Sequence, residues 1–140
     1  MNNDAALPFT QVNPPALARP SGFSHGLLTP PGLRLLFIAG QTAADANGHV
    51  AHTAFPRQFE AALARVLAVV AAAGGRPEHV ARMTVFVTDL DAYRATRPTL
   101  REIWKRLVGV HYPAMTLVEV SRLFDPDATV EIEATAVLQP

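Results

Sequence analysis

Cysteine is absent from all 140 residues. That excludes disulfides, thiolate catalysis and cysteine-ligated metal, and it fits a reducing compartment. Net charge is absent too, with Lys+Arg 12 balancing Asp+Glu 12 and a pI near 7.0. No bulk attraction to nucleic acid or to an anionic membrane follows from that balance. The longest apolar run, Val66 to Ala73, is far shorter than the roughly 20 residues that span a bilayer. The first residues, MNNDAALPF, show neither the charged nor the apolar region of a signal peptide. No P-loop or GxGxxG run is present, and the five histidines (His25, His49, His52, His79, His111) have no ligand spacing such as HExxH. Metal and cofactor are therefore not expected. Ser24 and His25 do not make a nucleophile pair, because neighbours on a strand point to opposite faces. The expectation is a soluble, cytoplasmic, single domain over residues 1–140, with no nucleic-acid or membrane partner.

What is present is strong periodicity. Four prolines within Met1 to Pro20 predict an extended lead-in. Phe23 to Leu28 reads as a strand and Leu33 to Gln41 as a short apolar one, followed by an Asn47-Gly48 turn. Phe55, Phe59, Leu63, Val66 and Val70 recur at helical spacing, so a helix is expected from Phe55 to Ala73, stopped by Gly74-Gly75. Ala81 to Thr88 reads as the next strand, with Met83, Val85 and Val87 opposite Thr84, Phe86 and Thr88. Asp89 to Tyr93 reads as a turn into a second helix, about Thr96 to Val108, with Leu100, Ile103, Trp104 and Leu107 buried and a capping box at Thr99 and Glu102. The order β-β-α-β-α-β-β predicts an α+β domain, a mixed sheet with two helices on one face.

The end of the chain carries the chemistry. Thr116 to Ser121 and Thr129 to Val137 read as partner strands joined by the Asp125-Pro126-Asp127 turn. On the second, Val130, Ile132, Ala134 and Ala136 alternate with Glu131 and Glu133. Same-face neighbours stand roughly 6.8 Å apart, so the two glutamates cannot share one small site. A carboxylate there can act as a general base or simply bond neighbouring backbone or Arg122. The face away from the helices keeps Thr84, Phe86, Leu117 or Val118 and the glutamate row, half-apolar and in want of a partner.

Pro113-Ala114-Met115-Thr116 followed by VEVSRL and VEIEATAV resembles the closing signature of the RidA (YjgF) family. LLFIAGQT at Leu35–Thr42, VLAVVAAAGG at Val66–Gly75 and VFVTDLDAY at Val85–Tyr93 extend the likeness over nearly all the chain from about Pro20. The resemblance implies a RidA/chorismate-mutase-like fold, a homotrimer whose sheets form a central barrel, and pockets between subunits for a small-molecule substrate. It implies enamine or imine deaminase activity in which Glu131 orients the attacking water. Phe23, Ser24, Ala39, Gly40, Arg97, Ala114, Met115 and Leu117 fall on positions that line such a pocket. The family's substrate-binding arginine is here Met115, so an ordinary 2-imino acid is not the expected substrate. Arg97 could supply a cation from another direction, or be a solvated helix-start residue. A non-catalytic metabolite-binding trimer is the alternative. The ribonuclease activity attached to some members fits poorly with neutral charge and no His or Lys acid–base partner near Glu131. The basic helix of Arg94, Arg97, Arg101, Lys105 and Arg106 reads as a solvated face, since Trp104 is in phase with the buried stripe.

Overall fold

Proline and glycine punctuate the chain where its elements begin and end. The computed structural model describes residues 9–20, 25–51 and 53–140. In order these form β1 (Thr10–Val12), β2 (Gly26–Leu28), β3 (Arg34–Gln41), α1 (Phe55–Ala72), a 3-10 turn (Pro77–His79), β4 (Val80–Val87), α2 (Leu90–Ala95), α3 (Arg97–Leu107), β5 (Ala114–Glu119) and β6 (Val130–Leu138). Pro56 and Pro98 lie in the first turns of α1 and α3, where a missing N–H costs nothing. Gly74 and Gly109, with φ of 83° and 84°, take the left-handed conformation just past the ends of those helices.

Four strands make the main sheet in the order β3-β6-β4-β5, with β4 and β5 parallel and the other pairs antiparallel. β1 and β2 form a separate antiparallel pair. The alternation read in the sequence decides the layers. Met83, Val85 and Val87 of β4 and Val130, Ile132, Ala134 and Ala136 of β6 join Phe59, Leu63, Val66 and Val70 of α1 in one core, to which α3 adds Leu100, Ile103 and Trp104. The fold is thus a mixed sheet with its helices on one face, as expected.

Three expectations are corrected. β5 and β6 are not partners: β4 lies between them. The Asp125 turn does form, its carboxylate accepting from Asp127 N at 2.9 Å, but a local turn cannot choose a strand's partner. β4 buries five of its eight residues, Thr84 among them, and such a strand belongs inside a sheet. The supposed turn at Asp89–Tyr93 is the cap and first turn of the short helix α2. Asp89 accepts there from Ala92 N at 2.9 Å, and Glu119 accepts from Leu90 N at 2.8 Å. α3 starts at Arg97 rather than using a Thr99–Glu102 box; Thr96 precedes it, and its hydroxyl donates to Ala92 O at 2.7 Å.

Buried Gln58 of α1 ties the β5–β6 connection to the core. Its amide donates to Asp127 O at 3.0 Å and accepts from Thr129 N at 2.9 Å. Two bonds from one buried side chain therefore fix Thr129, the residue just before β6 and two before Glu131.

Candidate functional site

Register assigns each candidate residue to a face of the sheet. Glu131 pairs with Phe86, and Ile132 with Val85, so Glu131 points away from the helices on the face shared with Thr84, Phe86, Val118 and Glu133. Val118, not Leu117, occupies that open face; Leu117 packs against the core. Ala114 pairs with Arg82 and also falls on the open side. Met115 pairs with Met83 and packs against the core on the helix side. Phe23 and Ser24 lie outside the described residues, as does His52.

Glu131 meets β3 at a bulge. Ile38 pairs with Ala134 and Gln41 with Ile132, so three steps on β3 oppose two on β6 and one extra residue is inserted at Ala39-Gly40. The Glu131 carboxylate lies over this bulge. A Cβ added to Gly40 would stand 2.0 Å from Glu131 Oε1 and 2.8 Å from its carboxyl carbon. Gly40 is needed for that approach and not for backbone freedom, since it is not among the positive-φ glycines. Gln41 steadies the bulge by donating to Ala39 O at 3.0 Å, and Arg65 reaches Ala44 O from α1.

On the helix side, Arg97 and Met115 line one cavity of about 360 Å³, together with Phe59, Tyr93, Leu100, Arg101, Trp104 and Tyr112. Trp104 and Tyr112 stack face to face, with centroids 5.7 Å apart and planes 2° from parallel. Trp104 Nε1 donates to His111 O at 3.1 Å, so the ring is held by an anchored backbone. Burial pushes the Tyr93 phenol up, while the positive charges of Arg97 and Arg101 pull the other way.

The candidates therefore fall into two groups within one copy. Glu131, Gly40, Ala39 and Ala114 belong to the open sheet side, whereas Met115, Leu117 and Arg97 belong to the helix side. Sequence reasoning did not find Tyr93, Arg101 or Tyr112 as cavity residues; the spacing of Arg97 and Arg101 by four on α3 was the available signal. Among the described residues no group of three or more His, Asp or Glu stands close enough to hold a metal ion. None of the described helices is long and apolar enough to cross a membrane.

The family model for Endoribonuclease L-PSP matches residues 16–138. The chain belongs to that family, also called RidA or YjgF/YER057c/UK114. Among relatives, it is 39% identical to Escherichia coli TdcF over 83 residues, 57% of this chain and 60% of TdcF. The match thus spans less than two thirds of that relative's length. The 2-iminobutanoate/2-iminopropanoate deaminase of Salmonella typhimurium is 31% identical over 103 residues, 74% of this chain and 79% of the deaminase. In structure, the Rid-family protein YyfB from Yersinia pestis superposes with a TM-score of 0.79 at 32% identity, covering 94% of this chain and 99% of YyfB. The crystal structure of TdcF with bound serine gives a TM-score of 0.63 at 31% identity, covering 91% and 94% of the two chains. The structural likeness thus runs along nearly the full length of this RidA-family chain.

Proposed function

We propose that this RidA-family chain is a cytoplasmic homotrimer that hydrolyses a reactive imine or enamine and releases ammonia, in a pocket shared by two copies. The observation that carries the reading is the seat of Glu131. A half-buried carboxylate lies against a glycine bulge on the open sheet face, where a small molecule can reach it. A relative named for deaminating 2-iminobutanoate and 2-iminopropanoate supports the reaction class.

The chemistry needs one base and one water. As water oxygen attacks the imine carbon, Glu131 takes a proton from it and the C=N electron pair moves onto nitrogen. The proton passes to nitrogen, and the resulting carbinolamine loses ammonia to leave a carbonyl. Overall, one imine and one water give one carbonyl compound and one ammonia, and Glu131 is regenerated. Gly40 and Ala39 border the carboxylate from β3. Ala114 shares the sheet face of Glu131, whereas Met115, Leu117 and Arg97 enter from the neighbouring copy, since Met115 and Glu131 of one copy face opposite sides of its sheet. Phe23 and Ser24 join the pocket only through the motif that they occupy.

Met115 in place of the family's arginine favours a second reading, a trimer that binds a metabolite without turning it over. A lost bidentate Arg–carboxylate contact removes about 1.5–3 kcal/mol. One assay separates the two readings. Ammonia release is measured from imines generated in place, both 2-imino acids and bulkier or neutral ones, with wild type and Glu131→Gln. Catalysis predicts wild-type turnover that falls at least about 100-fold in the variant, the scale of a lost general base. Equal, background-level rates across the panel would leave the binding reading alone.

A further inference from the structure

The bulge under Glu131 is gripped from the opposite side of the sheet. Gln41 stands across from the core residue Ile132, so its side chain points toward the helices and not to the open face. Its amide donates to Ala39 O at 3.0 Å, and its side-chain oxygen accepts from Arg65 Nε of α1 at 3.4 Å. Arg65 Nη1 donates in turn to Ala44 O, three residues past the end of β3. One guanidinium therefore holds the end of β3 twice, through Gln41 and directly. The peptide between Ala39 and Gly40 is trans and rigid, so fixing its carbonyl fixes the plane against which the Glu131 carboxylate rests.

The loop beyond β3 does not need this arginine. Asp45 N donates to His49 O at 2.8 Å, and the Asp45 carboxylate accepts from Asn47 N at 2.8 Å and from His49 N at 3.0 Å. The core does not need it either, since Arg65 is exposed and bonds only neutral oxygens here. Such a side chain loses rotamer freedom and adds little to stability, so its value is geometric. We infer that Arg65 is a positioning residue for the reaction: acting through Gln41, it holds the Ala39-Gly40 bulge in the shape that seats the Glu131 carboxylate. A guanidinium suits that task, because its planar fork offers several donors in fixed directions, enough for Gln41 and Ala44 at once. The inference rests on the deaminase reading of Glu131. It adds a residue that acts on the base only through the strand, from the face that Glu131 does not share.

Ammonia release from the same imine panel is measured with the full-length protein and its Arg65→Met, Arg65→Lys and Gln41→Glu variants. Arg65→Met is expected to lower kcat about tenfold or more, the scale of a misplaced catalytic group, while KM and the urea midpoint stay near wild type. Arg65→Lys keeps the charge without the fork and should recover only part of the loss. Gln41→Glu separates positioning from a mere surface tie. Its carboxylate strengthens the contact with Arg65 but cannot donate to Ala39 O, so kcat should fall although the tie is tighter. Arg57→Met, at another exposed arginine of α1, should change nothing. Wild-type kcat in Arg65→Met or in Gln41→Glu overturns the inference, and so does a loss confined to KM. A second readout needs no turnover. The chain has eight glycines, few enough for isotope-labelled glycine to give one resolved amide signal each, with Gly40 assigned from Gly40→Ala. In Arg65→Met the Gly40 signal should broaden or double, while those of Gly32, Gly74 and Gly109 stay as they are. If wild type turns over no imine of the panel, the deaminase reading falls by itself, and the Gly40 signal decides the rest. Broadened or doubled, it sustains the hold of Arg65 on the bulge; single and sharp, it overturns it.

Discussion

A missing side chain can be as functional as a present one, and Gly40 is the case in point. Its φ is ordinary, so Gly40→Ala adds no backbone strain; the added methyl collides instead with the flexible end of Glu131. The carboxylate can swing aside at little cost to the fold. Activity of Gly40→Ala is therefore expected to fall at least about tenfold, while stability changes by less than about 1 kcal/mol, the usual cost of a change outside the core. Ammonia-release kinetics beside urea denaturation check both halves. His111 makes the opposite kind of prediction. Buried beside Phe9, its Nε2–H donates to Val80 O at 2.7 Å, and burial lowers its pKa below 6.5 even though that bond acts to raise it. The unfolded chain thus binds the proton more readily than the folded one, so stability is full above about pH 6.5 and declines as pH falls toward the lowered folded value. Urea midpoints between pH 8 and 5.5 should show this decline, and His111→Gln should flatten it.

At the scale of elements, the bond pair of Gln58 joins helix to strand. Replacing Gln58 by Ala leaves Thr129 N and Asp127 O without their buried partner, and a loss of about 1–3 kcal/mol is expected. A lower urea midpoint with unchanged slope measures it. Gln58 was invisible beforehand as a tie, because an amide within an apolar helical stripe gives no hint of its partners. Periodicity revealed α1, α3 and the two faces of β4 and β6, since the buried side of each element repeats at its own pitch. It could not reveal that β4 separates β5 from β6. Strand order depends on contacts distant in sequence, and the Asp125-Pro126-Asp127 turn pointed to a hairpin with equal force. α2, at six residues, is too short to show a stripe. For the site, the position of Glu131 was legible from alternation and motif together. That Arg101 lines the helix-side cavity was hidden inside a basic run that reads as solvent-facing.

On the scale of the whole molecule, the open sheet face is unusually apolar for a surface. Phe37 is 75% exposed and Leu35 57%, both on the side of β3 that carries Glu131's face, and Val118 adds to them from β5. Such a patch is expected to be covered by other copies in the proposed trimer. Phe37→Asp should therefore shift the sedimenting species from trimer toward monomer and abolish turnover together, while far-UV circular dichroism still reports a folded chain. A variant that stays trimeric, or a wild type that sediments as a monomer, would count against the shared pocket.

The sheet order also bears on how the molecule comes into being. β6 comes last among the described strands, yet it stands between β3 and β4, and β3 has no other neighbour in that sheet. On a ribosome β4 can pair with β5 once both are made, but β3 has no partner in that sheet until Val130–Leu138 emerges. A nascent product cut short ahead of Val130 would leave the edge of β3 open to misassociation, and would have to be sheltered or degraded rather than stored.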